Sequence, residues 1–280
     1  MTYLSSTLTT QDGLGLHLAR WDPKGAPRAI VFLLHGLGEH AGRYAHVAEA
    51  LNRARIACWG IDLRGHGQSQ GPRGHAPGLE RLLDDVSLMI RENNQIGAAF
   101  LYGHSLGATL ALQFGRLRPE GLSGVVATAP WLRLRFTPPR YKLILARVLP
   151  KVAPGITLPS GLDVQALSHD KMVVDAYVND PLVHDRITAQ LGAIMLTLAE
   201  NLLAHPASFR IPLLMMHGEA DGLTDPAATR SFFEGVGSTD KTLKLWPGFF
   251  HEIHNEPEQA GVIAQIVSWL ETRIESVRLD

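Results

Sequence analysis

Short apolar segments rich in β-branched residues, several of them bounded by glycine or proline, recur along the chain. They are too short and too continuous for amphipathic helices, so they predict buried β-strands. The segments cover residues 29–34, 56–61, 98–102, 124–128, 213–217 and 243–246. A strand pair of a different kind is predicted near the start, where Asp12-Gly13 is typical of a hairpin turn between antiparallel strands.

Between several of these strands, apolar residues follow the spacing i, i+3, i+4, i+7. This spacing places them on one face and predicts amphipathic helices. Two such stripes are Leu79, Leu82, Leu83, Val86 and Ile263, Ile266, Val267, Leu270. Strands that alternate with helices predict an α/β fold: a mostly parallel central sheet with helices on both faces and ligands bound at the carboxyl ends of the strands.

The alternation stops between residues 131 and 210, where no strand is predicted and prolines separate short helical pieces. We interpret this region as a helical cap inserted into one core, whose two parts are residues 1–130 and 211–280. The prolines stand at Pro138, Pro139, Pro150, Pro154 and Pro159.

The last predicted helix of the cap, residues 191–203, is apolar on two faces. Leu191, Ile194 and Leu198 belong to one stripe with Met195 and Leu202, whereas Leu196 and Leu203 make a second face apolar. A helix that is apolar on two sides needs two apolar partners. One partner is the core; the other is either more of the cap or the acyl tail of a substrate.

Composition excludes several function classes. The 280 residues carry a formal net charge of -1, so neither a nucleic acid nor an anionic membrane is an expected partner. The only cysteine, Cys58, lies in an apolar segment and is expected to be a buried, inert thiol. No apolar stretch is long enough for a transmembrane helix, and the first residues do not resemble a signal peptide. A cytoplasmic location is expected.

The sharpest chemical signal is Gly103-His104-Ser105-Leu106-Gly107, between a predicted strand and a predicted helix. This is the context of a nucleophile elbow, in which small residues let the chain turn abruptly and expose the serine. The alternative, an ordinary turn with a capping serine, leaves the downstream acids and histidines unexplained. Ser105 is therefore the candidate nucleophile.

A serine nucleophile needs a base, and the base needs an acid that fixes its tautomer. Asp225 precedes Pro226 and a helical segment, which is typical of a helix N-cap, so Asp221 is the candidate acid. His251 comes soon after the strand 243–246 and is the candidate base, whereas His254 is expected to support the site. A metal pair formed by the two histidines has no further ligand motif in its favour.

The negative oxygen formed during acyl transfer needs hydrogen-bond donors. One candidate is the backbone amide of Leu106, at the start of the helix that follows the serine. The other is the amide of Leu37, because the glycines of His35-Gly36-Leu37-Gly38 allow a close approach.

These segments resemble the monoacylglycerol lipases and related lysophospholipase-like enzymes of the α/β-hydrolase fold. The resemblance covers nearly the whole chain and rests on HGLGEHAGRY, IDLRGHGQSQG, GHSLGA, HGEADGLTDP, GFFHEIHNEPE and the cap piece DAYVNDPLV. It implies that Ser105, Asp221 and His251 form a catalytic triad, that no cofactor is needed, and that acyl glycerols bind through an apolar cap tunnel. Some relatives carry a glutamate ahead of the cap tyrosine, whereas Met172, Val173 and Val174 precede Tyr177 here.

The expected function is hydrolysis of small lipid esters, with monoacylglycerol as the leading substrate and Arg43 and Tyr177 as candidate contacts for the polar headgroup. The cap would touch a membrane surface transiently. A lysophospholipase and a generic carboxylesterase are the alternatives. An aminopeptidase would use Glu39 or Glu219 for the substrate amine, and a non-catalytic receptor would not need the triad.

Overall fold

A computed structural model describes residues 1–92, 97–135 and 148–277. Pro138 and Pro139 of the predicted cap lie outside these residues. The strands are β1 (Thr2–Thr9), β2 (Gly15–Asp22), β3 (Ala29–Leu34), β4 (Ile56–Ile61), β5 (Ala98–His104), β6 (Gly124–Thr128), β7 (Thr157–Pro159), β8 (Arg186–Thr188), β9 (Leu213–Gly218) and β10 (Lys241–Trp246). The helices are α1 (Ala45–Arg53), α2 (Leu79–Arg91), α3 (Leu106–Leu117), α4 (Lys171–Asn179), α5 (Ala189–Ala204), α6 (Pro226–Gly235) and α7 (Gln259–Val277).

Eight strands form one sheet in the order β1-β2-β4-β3-β5-β6-β9-β10. Strand β2 pairs antiparallel with β1 and β4, and the other pairs in this sheet are parallel. The predicted turn between β1 and β2 is confirmed, because Gly13 has a φ of 79° and its amide donates to the Thr10 carbonyl. All six predicted strands are present with bounds that agree to within two residues.

The central strands are buried on both faces because helices cover both sides of the sheet. Along β3, Ile30 and Phe32 join one hydrophobic cluster, which α2, α3, α5 and α6 complete. The alternate residues Val31 and Leu33 join a second cluster with α1 and α7. Because side chains alternate between the two faces of a strand, each central strand contributes to both hydrophobic clusters, as expected for a parallel sheet. The predicted mostly parallel α/β-hydrolase fold is confirmed.

Strands β6 and β9 are neighbours in the sheet, so the chain between them is an excursion from the core. The prediction of no strand in this excursion is wrong: β7 and β8 pair antiparallel, with Leu158 opposite Ile187. Each of these strands has three residues, too few to show a period of two, and Pro159 ends one of them.

Several hydrogen bonds hold the excursion against the loops that follow β3 and β4. The His184 amide donates to the Gly38 carbonyl at 2.8 Å, and the Thr188 amide donates to the Gly74 carbonyl at 2.9 Å. The His40 ring lies 2.9 Å from a carboxylate oxygen of Asp180. These contacts keep the excursion over the carboxyl ends of the strands. No helix among the described residues is long and apolar enough to cross a bilayer.

Candidate active site

Ser105 lies at an abrupt turn between β5 and α3, as the elbow motif predicts. Its backbone adopts φ 53° and ψ -115°, a strained conformation that costs about 1–3 kcal/mol. The flanking glycines are sterically required. A β-carbon on Gly103 would lie 2.2 Å from the Gly107 carbonyl oxygen, and one on Gly107 would lie 2.2 Å from the Leu34 carbonyl oxygen.

The Asp221 carboxylate follows β9 and contacts the His251 ring directly. One of its oxygens, Oδ2, lies 2.7 Å from His251 Nδ1 and 2.9 Å from His217 Nε2, and accepts the Thr224 hydroxyl at 2.8 Å. The other oxygen, Oδ1, accepts the amides of Leu223 and Thr224. With both oxygens held, the carboxylate has a fixed position from which it orients the imidazole.

Asp221 and His251 each favour the charged form of the other. Burial opposes ionisation of Asp221, yet His251 and His217 lower the pKa of Asp221 well below its usual range. Burial also acts to lower the pKa of His251, but the neighbouring Asp221 carboxylate outweighs it and raises that pKa above the ordinary value. Asp221 thus stays ionised and favours a protonated His251.

Ser105 and His251 line the same cavity beneath the excursion. Its polar lining includes Glu39, His104, Tyr177, Thr224 and Glu252. Its apolar lining comes from both the core and the excursion and consists of Leu37, Trp131, Leu134, Leu162, Leu167, Ile187 and Leu223. The cavity therefore presents both polar groups and apolar side chains near the serine.

The two amides proposed for the oxyanion are in suitable places. Leu37 lines the cavity, and Leu106 is the first residue of α3, where backbone N–H groups have no partner within the helix. Among the hydrogen bonds between described residues, neither amide donates to another group. Both remain free to bind an oxyanion.

Several known proteins resemble this chain over most of its length. The family model described as serine aminopeptidase, S33 matches residues 25–258. A monoacylglycerol lipase of Mycolicibacterium smegmatis is 35% identical over 254 residues, covering 89% of this chain and 90% of that protein. The crystal structure of a monoacylglycerol lipase from Paleococcus ferrophilus has 36% identity and a TM-score of 0.86, covering 92% of this chain and 99% of the other.

The chain belongs to the monoacylglycerol lipase-like family of α/β-hydrolases. It is a carboxylic ester hydrolase, as the sequence predicts. A further relative, an uncharacterized abhydrolase domain-containing protein of Dictyostelium discoideum, is 37% identical over 280 residues. The match covers 99% of this chain but only 30% of the relative.

Arg43, the predicted headgroup contact, is bound by two carboxylates and does not belong to the cavity lining. It donates to Glu252 through two nitrogens, at 2.6 and 2.7 Å, and also pairs with Glu39. Its guanidinium lies 4.6 Å from the centre of the Tyr177 ring. Tyr177 itself lines the cavity, so Arg43 supports the cavity wall from behind.

Of the two acidic residues that an aminopeptidase would use for a substrate amine, one is engaged in hydrogen bonds and the other lies outside the cavity. Glu39 accepts the Gly36 amide at 2.6 Å and the Tyr44 hydroxyl at 2.8 Å, in addition to its pairing with Arg43. Glu219 is exposed and does not belong to the cavity lining. Glu39 therefore shapes the loop after β3, and its oxygens are already engaged.

His254 lies behind the cavity and is fully buried. Its ring stacks on Tyr44 with centroids 4.7 Å apart, and burial lowers its pKa to about 3. The set among the described residues with metal-like geometry is instead Glu39, His104 and Glu252, whose ligand atoms lie within 4.8 Å of one another. Arg43 already forms ion pairs with both of these carboxylates, Glu39 and Glu252.

Leu191, Ile194 and Leu198 are not brought to the cavity. Leu191 and Leu198 are buried in the main core, where α5 packs against α3 and α6. Ile194 and Leu198 also border a separate open groove with Leu79 and Gln113. The first stripe of α5 therefore packs in the core, Leu203 of the second face packs against the same core, and the apolar lining of the cavity comes from other residues.

Three residues of the site were not predicted from the sequence. Nε2 of His217, at the end of β9, lies 2.9 Å from Asp221 Oδ2. The Thr224 hydroxyl oxygen lies 3.3 Å from His251 Nδ1. Glu252 follows the base directly but was assigned no role. A buried polar residue at a strand end next to a triad segment is the signal that could have found His217.

Proposed function

We propose that this hydrolase cleaves monoacylglycerols with Ser105, His251 and Asp221 as a catalytic triad. The observation that supports it best is the 2.7 Å contact of Asp221 with His251, because His251 lines the same cavity as the strained Ser105. A generic carboxylesterase would use the same triad. The distinction between the two depends on the rest of the cavity.

In the proposed reaction, Ser105 Oγ attacks the ester carbonyl while His251 Nε2 takes the hydroxyl proton. The Leu37 and Leu106 amides bind the oxyanion of the tetrahedral intermediate. The ester C–O bond then breaks, the alcohol leaves with the proton from His251, and an acyl-enzyme remains. Water, deprotonated by His251, attacks the acyl carbonyl, and collapse of the second intermediate releases the fatty acid and restores Ser105.

The charge of the polar lining favours an uncharged headgroup. Two carboxylates, Glu39 and Glu252, face one guanidinium, that of Arg43. Burial lowers the pKa values of His104 and His254, which keeps both rings neutral. This excess of negative charge suits the hydroxyls of glycerol and disfavours a phosphate, which argues against a lysophospholipid substrate.

The acyl chain would lie on the apolar lining of the cavity. Trp131, Leu162, Leu167 and Ile187 from the excursion line the same space as Leu223. Each methylene that leaves water there contributes about 0.8 kcal/mol of binding. These residues replace the α5 stripe in the predicted tunnel, and we retain residues 131–210 as the proposed cap.

A lipid-surface contact of the cap is also proposed. Several large apolar side chains of the excursion are exposed to solvent, and exposed apolar surface is found where proteins contact membranes. The exposed residues are Val148, Val152, Ile156, Leu158, Met172 and Val178. They would rest at the interface while a monoacylglycerol enters the cavity.

A panel of esters with matched acyl chains tests this function. The value of kcat/KM for 1-monoacylglycerols is expected to rise roughly fourfold per methylene before it levels off. A lysophosphatidate with the same acyl chain is expected to be roughly 100-fold poorer, because like charges about 6 Å apart repel by about 3 kcal/mol at an effective dielectric constant of about 20. A triacylglycerol is expected to be poorer still.

All substrates are measured below their aggregation concentrations, so that differences reflect the cavity. A preference for short acyl chains would leave a generic carboxylesterase. Equal or better hydrolysis of the lysophosphatidate would contradict the proposed headgroup selection. Release of amino acids from peptides, with no ester turnover, would favour the aminopeptidase that the family description names.

A further inference from the structure

Glu256 is a buried carboxylate at the junction between the excursion and the loop that carries His251. Its Oε1 accepts the Phe250 amide at 2.6 Å, immediately before the base. Its Oε2 accepts the His169 amide at 3.1 Å, and Oε1 lies 3.0 Å from His169 Nδ1. One side chain thus holds the chain on both sides of the junction.

Backbone contacts extend this junction along both segments. The His251 amide donates to the Ala166 carbonyl at 3.3 Å, and the Glu252 amide donates to the Leu167 carbonyl at 2.8 Å. The His169 ring also stacks on the Phe250 ring, with centroids 3.6 Å apart. The loop of the base therefore runs beside the excursion and is bonded to it over several consecutive residues.

The same segment of the excursion also shapes the cavity. Leu167 lines it, and Asp170 caps the first turn of α4 by accepting the Met172 amide at 2.8 Å. Helix α4 carries Tyr177, which lines the cavity as well. The segment that Glu256 binds through His169 is therefore continuous with a wall of the cavity.

Asp221 fixes the His251 imidazole through Nδ1, and among the hydrogen bonds between described residues none joins Asp221 to the backbone that carries this base. The position of that backbone depends on the contacts made by Phe250, His251 and Glu252. We propose that Glu256 is a positioning residue: it locks the loop of the catalytic base to the cap, so that placement of the cap and alignment of His251 are one event. This inference rests on the triad of the proposed function.

The test compares Glu256→Ala and Glu256→Gln with the matched control Glu258→Gln, two residues along the chain and exposed. Activity is measured on p-nitrophenyl butyrate, so it does not depend on glycerol recognition. Misplacement of a catalytic group by about 1 Å can cost on the order of 100-fold in rate. We expect Glu256→Ala to lower kcat by about 10- to 100-fold, with little change in KM.

A second readout separates positioning from folding. The proton of His251 Nδ1 in its contact with Asp221 gives a downfield NMR resonance, which is expected to broaden in Glu256→Ala while the melting temperature still shows a folded protein. Glu256→Gln keeps one acceptor oxygen and is expected to fall between wild type and Glu256→Ala in kcat. It also decides the test if Glu256→Ala does not fold.

Wild-type kcat in a folded Glu256→Ala or in Glu256→Gln would overturn the inference, as would an equal loss in Glu258→Gln. A wild-type protein that hydrolyses p-nitrophenyl butyrate but not monoacylglycerol would instead overturn the proposed substrate and leave this inference intact. A wild-type protein inactive on every ester would contradict the triad itself.

Discussion

Replacement of Ser105 by alanine is expected to lower ester turnover by a factor on the order of 10⁴ or more, with the fold retained. In the proposed mechanism the hydroxyl oxygen forms the acyl-enzyme, so its loss removes the nucleophile. Alanine meets the same backbone strain at φ 53°, so stability should change little. Rates on p-nitrophenyl butyrate and the melting temperature measure the two effects.

The matched control is Ser268→Ala, which removes a hydroxyl from an exposed position on α7. It is expected to retain the wild-type rate. Substantial turnover by a folded Ser105→Ala protein would exclude Ser105 as the nucleophile, whatever the remaining geometry.

Replacement of Asp221 by asparagine is expected to lower kcat by on the order of 10⁴, because the amide leaves His251 in the wrong tautomer. It should also move the acid limb of the pH profile. In the wild type, Asp221 raises the pKa of His251, so activity falls as the pH drops through a value above that of an ordinary histidine. Without this carboxylate, burial lowers the pKa of His251, and the acid limb of the residual activity moves to lower pH.

Asp225→Ala provides the matched control for this change, since Asp225 lies four residues further along the chain. Its side chain accepts the Ala227 amide and caps α6, so its loss should destabilise the protein by about 0.5–2 kcal/mol and leave the rate nearly unchanged. If Asp225→Ala lost activity and Asp221→Asn kept it, the two assignments would be reversed. An unmoved acid limb in Asp221→Asn would contradict the electrostatic coupling.

Local patterns predicted the features that depend on neighbouring residues in the chain. The strand-turn-helix context around Ser105 and the N-cap at Asp225 are set within a few residues, and both are present in the structure. The buried strands were likewise visible as short apolar segments. For the same reason, the choice between Asp221 and Asp225 could be argued from the local capping rule alone.

Features made by distant segments were not predictable from such patterns. Arg43 meets Glu252 across 209 residues, and Glu256 meets His169 across 87 residues. No local periodicity marks these pairs, since a buried arginine and a surface arginine look alike in the sequence. The packing partners of the apolar faces of α5 likewise come from segments distant in the chain.

The assignment of Ser105 as the nucleophile is tested most directly by site mapping with a fluorophosphonate. The reagent phosphonylates a serine activated by a neighbouring base, and peptide mass spectrometry then locates the modified residue. One modified residue is expected, Ser105, with labelling lost in Ser105→Ala and strongly slowed in Asp221→Asn. Modification of a different serine, or undiminished labelling of Ser105→Ala, would contradict it.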